Sequence, residues 1–499
     1  MAPGPVAQVV DVPNHAGADR YSPHGVDSSG SFVNEQGNIL RLRSACPGDV
    51  HDIVCVGFGP ASLAIAIALH DKLCAEENSE NVGLSPPPTV RFLERQKSFK
   101  WHAGMLLPGA KMQISFIKDL ATLRDPCSHF TYLNYLKKHD RLVQFVNLGT
   151  FLPSRMEFED YLQWAAAHFD NVVDYGCEVQ RVRPWKAGPG GKFDCLEVEF
   201  RNLCTGQPSS VLARNVVIAV GGRPAWPTVF PSFHERILHS SEYSTRIAQV
   251  LPVKEKSYNI AVVGGGQSAA EVFNDLQTRY PHANTRLIFR DTALRPSDDS
   301  PFVNELFNPE AVDAFYDQPE ELRHQSLQKN KSTNYSVVRL ELLERIYESQ
   351  YFQSIKQPDK SLWQHQILPS REIVAVADMR ENKRLNLTLK SLDPSRKKAK
   401  EVLNVDAVIL ATGYRRDAHV DMLTDCQIIN GSGGQQWRAD RDYRLKLDPS
   451  FVEDGVGIWL QGCNEHTHGL SDSLLSVLAT RSGELVESIF GPDGRPTRP

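Results

Sequence analysis

The chain has 499 residues, 23% charged and 41% hydrophobic, with a formal net charge of −5. That length supports two or three domains with real cores, and the small negative charge gives no electrostatic footprint for nucleic acid or an anionic membrane. No apolar run approaches the about 20 residues that span a bilayer, so neither nucleic acid nor membrane is expected as a partner.

Residues 1–48 are rich in Pro, Gly, Ser and Asn without an apolar period, and read as a disordered arm. They lack the basic start and apolar core of a secretory signal, and Asp11, Asp19, Asp27 and Glu35 argue against a transit peptide. The final Thr-Arg-Pro is not a peroxisomal tripeptide. Nine scattered cysteines with no C-x-x-C pair point to neither a disulfide framework nor structural zinc. A reducing cytoplasmic location is expected.

A β-α-β unit follows. Ile53-Val54-Cys55-Val56 reads as a strand, Gly57-Phe58-Gly59-Pro60-Ala61-Ser62 as a glycine turn, and Leu63 to Leu69 as a helix apolar on every face, hence buried in a layered protein. Gly57 permits the turn, and Gly59 lets the backbone approach a pyrophosphate at a helix N-terminus. Pro60 suits the first helical position, and Ser62 stands where the dinucleotide fingerprint has its third glycine. The next strand, Val90 to Glu94, ends in an acid that can accept from a ribose. Glu94 lies 35 residues past Gly59 instead of about 20, and a proline-rich loop accounts for the excess.

Residues 130–182 read as mainly helical, and 193–220 as antiparallel strands. A second unit begins at Asn259, with strand Ile260 to Val263 and loop Gly264-Gly265-Gly266-Gln267-Ser268. Its helix carries Ala269, Val272, Phe273 and Leu276 at i, i+3, i+4 and i+7. The strand after it ends in Arg290, not in an acid. An arginine there pairs with a 2′-phosphate and predicts NADPH over NADH; a solvated arginine at a strand end is the bland alternative. Further on come a helix over 336–352, strands near 370–391, a charged hairpin tip at 393–400, and a buried strand Val405 to Leu410 closed by Ala411-Thr412-Gly413-Tyr414. Two such loops imply two redox nucleotides and electron transfer between them.

Other chemistries fit poorly. There is no G-x-S-x-G elbow, and His466 and His468 stand at i, i+2 without a metal-binding motif, so they read as satisfied polar histidines. A disulfide reductase needs a cysteine pair after the first loop, where only Cys74 occurs. Lys118, just after the apolar-rich run Ile114-Ser115-Phe116-Ile117, stands out because a lysine is rarely buried unless paired; a snorkelling surface lysine is the alternative.

These residues, with Trp101-His102, Lys111 to Pro126, Arg295 to Asn308, Asn334 to Val338 and His468 to Ser476, resemble the ornithine N(5)-monooxygenases of siderophore biosynthesis, which are class B flavin-dependent N-hydroxylating enzymes. The resemblance runs from about Asp52 to Phe490. It implies an α/β fold with two Rossmann-like dinucleotide-binding domains, for FAD and NADPH, the second inserted into the first, plus a small substrate-binding helical region. The boundaries are then a 1–48 arm, 49–225 as the first part of the FAD domain, 226–400 as the NADPH domain with the substrate segment, 401–490 as the FAD-domain return with substrate contacts, and 491–499 as a flexible tail.

The resemblance places FAD on Gly57, Gly59, Pro60, Ala61, Ser62, the segment Glu94, Arg95, Gln96, Lys97, Ser98, Phe99, Lys100, Trp101 and His102, and on Gln113, Val179, Thr412, Ser473, Leu474 and Leu475. NADPH falls on Gly265, Gly266, Gln267, Ser268, Arg290 and Asn334, and ornithine on Lys118, Asn304, Glu305, Leu306, Phe307, Asn334 and Ser476. Lys118 would pair with the substrate carboxylate, and Asn304 would hold the zwitterionic end without adding charge. L-Ornithine and O2 are the implied substrates and a homotetramer the implied assembly. The flavin carries the chemistry, so no catalytic side chain and no metal are expected. The substrate amine reacts only when neutral, and deprotonating a side-chain amine of pKa about 10.4 at pH 7.4 costs roughly 4 kcal/mol, so activity should rise above neutral pH. The alternatives are a lysine N(6)-hydroxylase, another class B monooxygenase acting on carbon or sulfur, and a flavin-binding redox sensor.

Overall fold

The computed structural model describes residues 41–77, 87–188, 190–379, 384–395, 400–434 and 436–491, and two short arm strands, Gly25–Val26 and Phe32–Val33, paired antiparallel. The rest of the arm and residues 492–499 of the tail lie outside the described residues. The arm was expected to run to 48, but its last residues pack on the first domain: Leu42 is buried, and its carbonyl accepts from Asn171 Nδ2 at 2.8 Å.

Strand β1 (Val50–Val56) leads into α1 (Pro60–Glu77). Residues 53–56 and 63–69 are all buried, as an all-apolar strand and helix between two layers must be. β2 (Val90–Glu94) lies parallel to β1. Helices α2 (Tyr132–Lys138) and α3 (Arg155–Ala166) start at Thr131 and Ser154, whose hydroxyls cap the Asn134 and Glu157 amides. The helical expectation for 130–182 fails after residue 172, where β3 (Val173–Tyr175) and β4 (Cys177–Pro184) form. A bulge between Val179 and Arg181 breaks the period-two pattern that would have announced β4. Then come β5 (Leu196–Asn202) and β6 (Pro208–Ile218).

The second domain holds β7 (Ile237–His239), α4 (Tyr243–Val250), β8 (Asn259–Val263), α5 (Gln267–Arg279), β9 (Asn284–Ile288), α6 (Glu320–Asn334), α7 (Leu340–Lys356) and β10 (His365–Leu368). β11 (Arg371–Met379), β12 (Arg384–Ser391) and β13 (Lys400–Val405) form an antiparallel meander. β14 (Ala407–Leu410) follows, and β15 (Gly457–Leu460) and α8 (Leu478–Phe490) close the chain.

The first sheet is ordered β3-β2-β1-β6-β5-β4, with β15 parallel to the second half of β6. The second is the parallel sheet β7-β14-β8-β9-β10. β14 lies inside the second sheet, so that domain extends to residue 410, past the expected boundary of 400. A fully buried strand suits the parallel part of either sheet, and its composition does not say which. The chain crosses between the domains twice, at Arg223–Pro224 and Tyr414–Arg415, and the two crossings pair antiparallel. Among the described residues no helix is long and apolar enough to cross a membrane.

Candidate active site

Both glycine loops sit at the carboxyl ends of central strands, where open α/β sheets take their ligands. Gly57 has φ +89°, and a Cβ there would stand 2.8 Å from the Ala219 carbonyl. A Cβ on Gly59 would meet nothing within 4 Å, so that side of the loop is open. Glu94 is buried, and both its oxygens accept from backbone: Oε2 from Phe58 N at 2.7 Å and Oε1 from Gln96 N at 2.8 Å. Its role is therefore first to hold the loop, a task its sequence position did not announce. Neither α1 nor α5 has an acid in its first turn, which leaves both N-terminal dipoles open to phosphate.

Of the other residues assigned to FAD, Pro60 and Ala61 are half-buried at the loop, and Ser62 is buried. Arg95, Gln96, Lys97, Ser98 and Lys100 are exposed, while Phe99 packs edge-on to Phe58. The Trp101 amide donates to both Glu159 oxygens at 3.0–3.1 Å. His102 has φ 49° and is open to solvent on one side; the protein enclosing its other sides, and the Arg155 and Arg416 charges, hold its imidazole below its ordinary value. Gln113 is exposed. Val179 is buried in β4, three residues past Gly176, whose amide donates to Gln96 O at 2.9 Å. The Thr412 hydroxyl donates to Ala225 O and ties the domain crossings together. Leu474 and Leu475 are half-buried. Ser473 Oγ lies near the Tyr335 phenol but meets hydrogen-bond geometry with no described residue, and buried Gln461 Nε2 is likewise unpartnered. Two orphaned polar atoms, one in the segment assigned to FAD and one following β15, fit a polar cofactor edge.

In the second loop Gly264 has φ +141°, and a Cβ would stand 2.3 Å from Ala411 O. Gly265 packs on Phe289, and Gly266 on Ser336, two residues after Asn334. Gln267 uses both ends of its amide within the protein: Nε2 donates to Glu271 at 2.9 Å, and Oε1 accepts from Arg339 N at 2.9 Å. These bonds fix the direction of the Gln267 amide and leave one Nε2–H for a further acceptor. Ser268 is half-buried at the helix start. Arg290 is exposed just past β9 and pairs with no described residue.

The segment from Pro301 to Asn334 leans back onto the first domain. Lys118 Nζ donates to Asn308 Oδ1 at 3.2 Å, and buried Ser476 donates to Phe307 O at 2.9 Å. Burial lowers the Lys118 ammonium pKa, opposed by Glu310. Asn304 and Glu305 are exposed, with Asn304 Nδ2 donating to Asp299 O at 2.9 Å; Leu306 is 37% exposed and Phe307 is buried. Asn334 is half-buried at the end of α6, next to Tyr335, whose phenol donates to Glu465. The structure thus joins Lys118 and Ser476 to the 304–308 turn, but through Asn308 and the Phe307 carbonyl. His468 has both ring nitrogens hydrogen-bonded, to Thr467 and Arg441 O, and stacks on Tyr443 at 4.1 Å. Among the described residues no cluster of His, Cys, Asp and Glu could hold a metal.

Sequence reasoning missed Arg155, Glu271 and Asn308. Arg155 donates to both Glu271 oxygens at 2.9 Å and to Met105 O at 2.8 Å. One signal was available: Glu271 interrupts the apolar run Ala269-Ala270-Val272-Phe273, and a charge within a buried stripe calls for a partner.

A family model described as L-lysine 6-monooxygenase/L-ornithine 5-monooxygenase matches residues 49–416. An L-ornithine N(5)-monooxygenase of Emericella nidulans is 56% identical over 458 residues, covering 90% of this chain and 91% of that one. The solved ornithine hydroxylase PvdA from Pseudomonas aeruginosa has a TM-score of 0.79 at 39% identity, covering 88% of this chain and 99% of that one. The ornithine N-hydroxylase KtzI of Kutzneria sp. 744, solved as FADred-NADP+-L-orn, has a TM-score of 0.77 at 36% identity, with 88% and 99% covered.

Proposed function

The chain belongs to the L-lysine 6-monooxygenase/L-ornithine 5-monooxygenase family, and from that premise we infer that it hydroxylates the side-chain amine of L-ornithine at N5, using NADPH and O2, as the step that begins hydroxamate siderophore assembly. It is a flavin-dependent monooxygenase. One observation carries the reading: a chain of this family presents glycine loops at the carboxyl ends of parallel strands in two sheets and a half-buried lysine with no carboxylate partner among the described residues.

FAD would rest on the first loop. The Gly57 turn, the open side of Gly59, the α1 N-terminus and the orphaned Gln461 and Ser473 atoms fit it. NADPH would rest on the second loop. Arg290 takes the 2′-phosphate, and the neighbouring open apolar depression of about 1050 Å3, lined by Phe289, Thr292, Leu294, Tyr347, Tyr351 and Ile367, offers a bed for a base. Bound together, these cofactors supply the hydride transfer and the oxygen activation. The side chains supply position. Lys118 pairs with the substrate carboxylate, Asn304 Oδ1 accepts from the α-ammonium, and the 304–308 turn is held against the first domain by Ser476. Half-buried surroundings depress ammonium pKa values, as they do for Lys118, and so favour the neutral, reactive amine.

The test compares NADPH-dependent hydroxylamine formation from L-ornithine and L-lysine, which differ by one methylene worth about 1–3 kcal/mol in a pocket. Ornithine should be preferred, and Lys118→Ala should raise its KM sharply while NADPH oxidation continues. Equal turnover of both amino acids would refute the substrate assignment.

A further inference from the structure

Asn308 is the residue on which Lys118 rests, at 3.2 Å from Nζ to Oδ1. An ammonium has three donors and no acceptor, so this bond fixes its direction and leaves two donors unused. The acceptor is neutral. Lys118 pairs with no carboxylate among the described residues, unlike Lys72 at Glu487 and Lys446 at Asp440, and unlike an exposed lysine it is half-buried. The acid that acts on it is Glu310, which is exposed and outside ion-pair contact.

Asn308 itself stands on a fixed turn. Its amide donates to Glu305 O at 3.2 Å, its carbonyl accepts from Ala311 N at 3.2 Å, and the preceding carbonyl is held by Ser476 at 2.9 Å. The backbone from which its side chain projects is therefore held on both sides. We propose that Asn308 is a positioning residue for substrate recognition: it aims the Lys118 ammonium with a neutral acceptor, so that the full positive charge remains for the carboxylate of a free amino acid. This rests on the reading of Lys118 as the carboxylate anchor. A carboxylate at position 308 would aim the lysine equally well but would neutralise it, and the substrate would have to displace an ion pair.

Asn308→Asp and Asn308→Ala separate aim from charge. In the FAD-loaded enzyme, KM and kcat are measured for L-ornithine and for 1,4-diaminobutane, which lacks the carboxylate, with Lys118→Ala and Lys118→Ala/Asn308→Ala alongside. Thermal midpoint and bound-flavin absorbance report folding. Asn308→Asp should raise the ornithine KM by about tenfold, as loss of a charge-assisted contact does. Asn308→Ala should raise it less, with kcat and the KM for NADPH unmoved in both. On the Lys118→Ala background Asn308→Ala should add nothing, and with diaminobutane Asn308→Asp should do no worse than the wild type. Equal effects of Asp and Ala, or the same KM rise with diaminobutane, would reduce Asn308 to a shape role and overturn the proposal. If Lys118→Ala raises the ornithine KM while neither Asn308 variant does, the positioning role fails and the anchor stands. If Lys118→Ala has no effect, the anchor reading fails.

Discussion

Arg155 and Glu271 form a two-pronged ion pair across the junction of the two dinucleotide domains, 2.9 Å on each prong. The pair is nearly buried, at 13% and 7% exposure. It ties α3, whose arginine also holds Met105 O, to the first turns of α5, where Glu271 holds Gln267. Removing one partner leaves a buried charge uncompensated, at a cost of about 3–5 kcal/mol. Glu271→Ala should lower the thermal midpoint. It should also slow NADPH-dependent flavin reduction by on the order of 100-fold, because small misplacements of reacting groups cost that much. Replacing both residues with apolar side chains of similar volume should restore stability but not the reduction rate. Full recovery of the rate in stopped-flow measurements would show that the pair is only a brace.

The two central glycines of the second loop should respond differently to a methyl group. At Gly264 a Cβ would stand 2.3 Å from a backbone carbonyl at φ +141°, whereas at Gly265 the nearest atom is 3.4 Å away, the Cβ of Phe289. Gly264→Ala should therefore destabilise the domain and abolish NADPH use. Gly265→Ser should keep the KM for NADPH within about threefold, since the backbone cradles the phosphates. Reversal of that order would mean that the loop reaches its ligand through position 265.

The parts of this fold that were legible in sequence are the local ones. β1 with α1 and β8 with α5 announce themselves because strand, glycine turn and apolar helix are contiguous. β4 was hidden by its bulge, which shifts the side-chain phase at Val179. β14 was legible as a buried strand, but a boundary at 400 puts it with the first domain, whereas it pairs in the second sheet, because pairing partners are set by tertiary packing. The same limit applies to the site. Lys118 stood out as a lysine beside apolar residues, yet its partner Asn308 lies 190 residues away, and no spacing rule connects them. Glu94 was marked by its place at a strand end, but its bonds to Phe58 and Gln96 depend on how the loop folds back.

Glu159 makes stability depend on pH. Its carboxyl is buried beneath the Trp101 amide, and burial raises its pKa from 4.5 to about 7, opposed by hydrogen bonds from Gln163 and Trp101. Between those values the folded state holds a proton that the unfolded state has released. Stability therefore falls as pH rises through that window and is level above it, a loss of roughly 3 kcal/mol from this group. Glu159→Gln stays neutral and can still accept from Trp101. Denaturation at pH 5 and pH 8 should show the variant gaining on the wild type at the higher pH. A stability difference that does not change between the two would remove Glu159 from the account.

Arg290 offers the sharpest check on cofactor choice. It lies exposed after β9, beside the depression lined by Phe289 and Thr292, and pairs with no described carboxylate. A guanidinium so placed can grip a 2′-phosphate through two parallel bonds, whereas NADH carries only a hydroxyl there. Arg290→Ala should raise the KM for NADPH by about ten- to a hundredfold, the range for loss of a charge-assisted contact, and leave the KM for NADH nearly unchanged. Arg290→Lys keeps the charge but loses the fork, and should fall between the two. Steady-state rates with both nucleotides decide it: a parallel loss with NADPH and NADH would move the phosphate contact to another residue and leave Arg290 a solvated strand end.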